Sequence, residues 1–251
     1  MFKTQIIAHR GYRKIAPENT LPAFEQAIKY KADSLELDLH VSKDGKLIVI
    51  HDEKVDRTTN GEGFIKDMTV KKIKKLDAGS WFDKKFKNTR IPTFEEFLDF
   101  VIKQKFDGEL LVELKTNKVD YPGIEKQALD ILKKYQKKAT YSHYILQSFN
   151  DKTLQNLKKI DSSLDLALLV YYPTETERRW LAKNQFNHFH PNYRRILSFP
   201  WRRWSLGRQS YRVWLVNDSN IMKQLLRKNI LGIITDDVDL AIKNRELIQG
   251  K

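Results

Sequence analysis

Residues 34–52, SLELDLHVSKDGKLIVIHD, hold acids and imidazoles at a spacing that suits chemistry. The stretch opens with strict alternation, Leu35, Leu37 and Leu39 against Glu36, Asp38 and His40. Period-two alternation is the signature of a strand with one apolar and one polar face, so the two acids stand side by side. Asp44-Gly45 between two apolar runs is a hairpin signal. With a two-residue turn, Lys43 faces Lys46 and His51 falls opposite Asp38. Two carboxylates and an imidazole on one polar patch suit a hard cation and acid–base work.

The remainder of the chain must supply the frame for that patch, and it reads as strands alternating with helices. Residues 5–8 form a short strand ending at His9-Arg10-Gly11, and Asn19 or Thr20 caps a helix carrying Leu21, Phe24, Ala27 and Ile28. Residues 53–92 are poorly periodic and too long for an ordinary connection, so they read as an insertion or cap. Thr93 then caps a helix over 94–104. Strands follow at 109–114, 144–149, 164–170, 186–190, 213–216 and 232–235. The helices between and after them fall at 121–138, 151–160, 175–183, 198–208, 219–228 and 238–244. About eight β–α units without a Pro/Gly-rich linker predict a single (β/α)8 TIM-barrel domain over 1–251, with a small insertion after the second strand. A doubly wound sheet is the alternative, but HRGYRKIAPENT lacks a dinucleotide-binding glycine fingerprint.

On a barrel the C-terminal strand ends carry the chemistry. Those ends hold His9 and Arg10, Glu36 and Asp38, His51 and Asp52, Glu113 and Lys115, Gln147 and Ser148, Asn217 and Asp218, and Thr235-Asp236. Taken singly, each has a structural reading, since a strand-end histidine is commonly a hydrogen-bonded structural residue. Together they are too many buried charges for a structural network, and they ask for a cation and an anionic ligand.

The chain has 251 residues and no cysteine, which excludes disulfides, thiolate zinc sites and a cysteine nucleophile. MFKTQIIAHRG is not a signal peptide, and no window approaches the roughly 18 apolar residues of a membrane span. A cytoplasmic protein is expected. Net charge is +14, and 178–212 alone holds nine basic residues and no acids, interleaved with Trp180, Trp201, Trp204 and five other aromatic residues.

The ordered set His9-Arg10-Gly11, Pro17-Glu18-Asn19-Thr20, Glu36-x-Asp38, Lys43-Asp44-Gly45, His51-Asp52 and Glu113-Leu114-Lys115 resembles the glycerophosphodiester phosphodiesterases of bacterial cytoplasmic type. Trp214-Leu215-Val216-Asn217 and Gly232-Ile233-Ile234-Thr235-Asp236 resemble their closing motifs. The resemblance spans essentially the whole chain. It implies a barrel and hydrolysis of small-molecule glycerophosphodiesters to sn-glycerol 3-phosphate and an alcohol. Matching positions imply that Glu36, Asp38 and Glu113 bind a divalent cation, Mg²⁺ or Ca²⁺. They imply that His9 and His51 are the acid–base pair and that Arg10 and Lys115 hold the phosphate. Gln147, Trp214 and Asn217 are candidates for the substrate pocket.

Two features depart from the family pattern: Asp237 follows Thr-Asp where proline is common, and the basic 178–212 segment is unusual. That segment reads as barrel-wall packing or as contact with an anionic membrane; nucleic acid is disfavoured because no recognised module is present. Two other functions are weighed, a phospholipase D-like barrel acting on lysophospholipids and an inactive polyanion- or membrane-binding homologue.

Overall fold

In the computed structural model of this protein, residues 3–171, 174–184, 186, 188–198 and 211–250 are described. The alternating stretch forms β2 (Ser34–Val41), and it is buried along almost its whole length rather than on one face. Its leucines pack outward against Phe24 and Phe97, whose rings meet edge to face at 4.6 Å. Its acids point the other way, into the barrel. Each large apolar side chain withdrawn from water contributes about 1.5–3 kcal/mol, and this outer layer joins most of the helices to the sheet.

The strands alternate with helices around that layer. In chain order they run β1 (Gln5–Ala8), α1 (Leu21–Lys29), β2, β3 (Leu47–Val49), α2 (Val70–Ile73), α3 (Phe94–Lys103), β4 (Glu109–Leu114), α4 (Ile124–Gln136), β5 (His143–Ser148) and α5 (Asp151–Ile160). Then follow β6 (Leu166–Val170), α6 (Glu175–Asn184), β7 (His188–Pro191), α7 (Tyr193–Ser198), β8 (Arg212–Val213), α8 (Ser219–Arg227), β9 (Gly232–Thr235) and α9 (Val238–Gln249). Sheet order is β7-β6-β5-β4-β2-β1-β9-β8, every neighbouring pair parallel. Parallel bridges Phe189–Tyr211 and Asn192–Trp214 bring the last edge back to the first. The result is a TIM barrel of eight parallel strands, with β3 hanging antiparallel on β2. Ile7, Leu111 and Ile234 plug the interior below the acids.

Three details differ from the sequence expectation. The β2–β3 register pairs Val41 with Leu47, so the connection is longer than two residues and Ile50, not His51, bonds to Asp38. Gly45 is the reason: at φ +73 it takes the left-handed position of a three-residue loop. Thr20 occupies the α1 cap position but makes no side-chain cap bond, and Asn19 is engaged elsewhere. β8 holds two residues where four were expected. Ser198, the expected start of a helix over 198–208, instead ends α7, and 199–208, with Trp201 and Trp204, lies outside the described residues, as does much of the basic segment's side-chain detail. Thr93 and Glu96, by contrast, form a complete capping box on α3.

Between β3 and α3 the chain builds a lobe with its own apolar cluster, Ile48, Ile50, Val55, Ile65, Met68, Ile73, Ala78 and Ile91. Among the described residues, no helix is long and apolar enough to cross a membrane.

Candidate active site

The site grows from the turn after β1. His9 continues the ladder, its N–H donating to the Thr235 carbonyl at 3.0 Å, and Arg10 and Gly11 then adopt φ +57 and +78. A Cβ on Gly11 would lie 2.7 Å from the Ala23 backbone, so only glycine permits this turn to pack on α1. The turn aims the Arg10 N–H at Glu36 Oε2, 2.9 Å away. Arg10 also gives Nη1 to Glu18 at 2.8 Å and lays Nε 3.3 Å from Asp38 Oδ2.

Glu36 and Asp38 on β2 face Glu113 on β4, because Asp38 and Glu113 are register partners. All three are buried, at 2%, 1% and 5% exposure. One oxygen from each lies within 4.8 Å of the other two. Asn19 Nδ2 donates to Asp38 at 2.8 Å, Gln147 Nε2 to Glu36 at 3.2 Å, and Lys115 Nζ stands 2.8 Å from Glu113 and 3.6 Å from Asp38.

Electrostatics divides the three acids. Burial, then the neighbouring charges of Asp38 and Glu113, pushes Glu36 well above the carboxylate range. Burial also pushes Glu113 up, with Lys115 opposing. Burial opposes the Asp38 charge as well, but Lys115, His51, Arg10 and the Asn19 amide outweigh it and hold that carboxyl low. Like charges crowded in a dry site resist joint ionisation, and a cation relieves that cost. An all-oxygen, three-carboxylate donor set fits a hard divalent ion such as Mg²⁺ or Ca²⁺ rather than zinc.

Two histidines complete the site, each held by a carboxylate. His9 Nδ1 lies 2.7 Å from Asp236 Oδ1, and His51 Nδ1 lies 2.6 Å from Asp52 Oδ1. Burial, then Arg10, lowers His9 to about 4, so the ring is neutral at ordinary pH. Burial opposes the Asp236 charge, but the bond from His9 holds its carboxyl below the usual range. Arg57 from the lobe bonds Asp52 at 2.7 Å and Glu18 at 2.7 Å, tying the cap to the barrel mouth.

His9, Arg10, Glu36, His51, Glu113, Lys115, Gln147 and Trp214 all line one cavity of about 180 Å³. Phe149 and Tyr171 stack at 4.9 Å on its far side, and both rings meet Trp214 edge-on. Asp38 sits behind this surface. Asn217 lies outside the lining and orients Asp236, donating Nδ2 at 2.8 Å and accepting the Asp236 N–H at 2.9 Å.

Sequence reasoning assigned no role to Asp236, Asp52, Glu18 or His190. Asp52 was detectable as the neighbour of His51. Asp236 was detectable once the last strand is paired with the first. His190, fully buried on β7, bonds Gln147 at 2.7 Å and had no local signal.

A closed barrel that gathers a buried carboxylate cluster and two carboxylate-held histidines has the make-up of a hydrolase site. Comparison with known proteins is consistent with that class. The model of the glycerophosphoryl diester phosphodiesterase family matches residues 9–240. A glycerophosphodiester phosphodiesterase of Caldanaerobacter subterraneus subsp. tengcongensis is 38% identical over 240 residues, covering 96% of this chain and 97% of that protein. One from Bacillus altitudinis is 34% identical, covering 97% and 98%. The crystal structure of glycerophosphodiester phosphodiesterase from Agrobacterium tumefaciens superimposes with TM-score 0.79 at 27% identity, covering 96% of this chain and 99% of that one. An Oleispira antarctica phosphodiesterase, solved in complex with the product sn-glycerol-3-phosphate, shares the fold at TM-score 0.80 and 23% identity, covering 97% of both chains. This chain belongs to the glycerophosphoryl diester phosphodiesterase family.

Proposed function

We propose that this protein hydrolyses glycerophosphodiesters to sn-glycerol 3-phosphate and an alcohol, using a divalent cation. The observation that carries the reading is the meeting of His9 and His51 in the cavity that Glu36 and Glu113 also line. Glu36, Asp38 and Glu113 would hold the cation, which when bound supplies charge neutralisation at the phosphoryl oxygens.

The chain's own residues supply the rest. Arg10 and Lys115 bind the phosphate and fix it against the carboxylates. His9 is the proton acceptor: Asp236 holds its Nδ1–H, and the neutral ring has a bare Nε2 for a hydroxyl or water proton. His51, held by Asp52, donates a proton to the departing alkoxide, and solvent exchange restores both rings between turnovers. Asn217 and Arg57 hold the two carboxylates in turn. The barrel and the 53–92 lobe act as one unit in this scheme, because Arg57 belongs to the lobe and Glu18 to the barrel.

A second reading is favoured by the apolar wall of Phe149, Tyr171 and Trp214, with Tyr171 59% exposed. Such a wall suits an acyl chain and hence a lysophospholipid. Product analysis tests the proposal: glycerol 3-phosphate from glycerophosphocholine supports it, whereas turnover of lysophosphatidylcholine alone favours the lipid substrate. An inactive homologue would leave these buried charges without a physical reason.

A further inference from the structure

The positive charge of this chain sits in two places. One is 178–212; the other is 66–90, where nine cations face three acids for a net +6. Everything outside these two segments nets −1. The second concentration is folded into the lobe beside the active-site mouth. Arg90 Nη1 donates to the Lys75 and Leu76 carbonyls at 3.0 and 2.8 Å, which fastens the end of the basic stretch to the chain just after α2. Lys66, Lys74 and Lys85 have acid partners; Lys71, Lys72, Lys75, Lys84 and Lys87 are exposed and have none among the described residues.

The lobe also exposes aromatic surface. Trp81 is 40% exposed, yet its indole N–H is bonded to the Ala78 carbonyl at 2.9 Å, so what it shows to solvent is hydrocarbon ring. Phe64 is 39% exposed beneath the ammonium groups of Lys54 and Lys66. Exposed lysines without acid partners and exposed aromatic rings on one lobe suit the surface of an anionic bilayer, where each cation adds attraction and the rings enter the headgroup layer. Arg57 ties the lobe to the barrel mouth, so a lobe seated on a membrane would hold the barrel there with it.

We propose that the 66–90 lobe is a peripheral docking surface for anionic phospholipid bilayers. The proposal goes beyond the hydrolytic reading and does not depend on it. The test is co-sedimentation of the full chain with vesicles of phosphatidylcholine alone and with 30% phosphatidylglycerol, at 0.1 and 0.5 M NaCl. The protein should bind the anionic vesicles at low salt, and binding should collapse at high salt. Combined Lys71→Glu, Lys72→Glu and Lys75→Glu should weaken it at least tenfold. A control of equal net charge, Lys133→Glu and Lys134→Glu on α4 with Lys137→Glu at its C-cap, should weaken it less than threefold. Trp81→Ser should lower binding severalfold, with thermal melting showing each variant folded. Equal losses in the two triple variants overturn the proposal, because net charge alone would then explain binding. Retained binding in the α2 variant, or wild-type binding to a single-stranded oligonucleotide but not to vesicles, overturns it as well.

Discussion

Asp236 at the end of β9 bonds His9 at the end of β1 across 2.7 Å of space and 227 residues of chain. The β1–β9 ladder, which aligns Ala8 with Thr235, places the two side by side. The carboxylate selects the tautomer with the proton on Nδ1 and leaves Nε2 to accept. Asp236→Asn preserves shape but removes that selection, and kcat should fall about 10²–10⁴-fold with KM little changed. Steady-state kinetics on the variant checks this; wild-type kcat would mean His9 does not work through Asp236.

Buried neutral histidines should make the fold acid-sensitive above the range where carboxylates titrate. Burial, followed by Arg10 for His9 and Arg212 for His188, brings both rings to about 4, and burial, then Arg212, also pushes His190 well below the usual imidazole range. The unfolded chain binds these protons near pH 6.5 and the folded chain does not, so stability is complete above about 6.5 and is lost as pH falls toward 4. Each group contributes a slope of about 1.4 kcal/mol per pH unit within that window. Urea midpoints at pH 7.5, 6, 5 and 4.5 should decline, and less steeply in His188→Asn. A flat profile would contradict neutral burial.

Gln147 links the interior of β7 to a carboxylate of the site. Its amide nitrogen donates to Glu36, so its oxygen accepts from His190 Nδ1, and the His190 carbonyl accepts the Trp214 indole N–H. Partners of this kind orient a ligand and typically govern 10–100-fold in metal affinity. His190→Leu and Gln147→Leu should each weaken Mg²⁺ or Ca²⁺ binding by that range in calorimetry. Unchanged affinity would show that Glu36 needs no such support.

Much of this was legible in the sequence because each piece carries its own local period. Leu35, Leu37 and Leu39 alternating with Glu36 and Asp38 mark β2 and its polar face, and Thr93 with Glu96 marks the start of α3. The burial of both β2 faces was not legible, because alternation does not say whether the polar face meets water or a closed barrel. The hairpin register is not fixed by the sequence alone, because Asp-Gly permits both two- and three-residue loops, and Gly45 takes the longer one. Asn19 has the composition of a cap, yet its amide serves Asp38, a long-range use that no local rule encodes. Asp236 and His190 depend on ladder partners far away in sequence, and closure of the barrel makes those contacts.

The most direct test of the central claim is release of glycerol 3-phosphate from glycerophosphocholine and glycerophosphoethanolamine. Wild type is assayed with Mg²⁺, Ca²⁺ or EDTA, beside His9→Ala and Glu36→Gln. Activity should require a divalent ion, vanish in EDTA, and fall at least 10²-fold in both variants. Undiminished turnover in EDTA and in either variant would contradict the assignment of Glu36, Asp38 and Glu113 to the cation and of His9 to proton transfer.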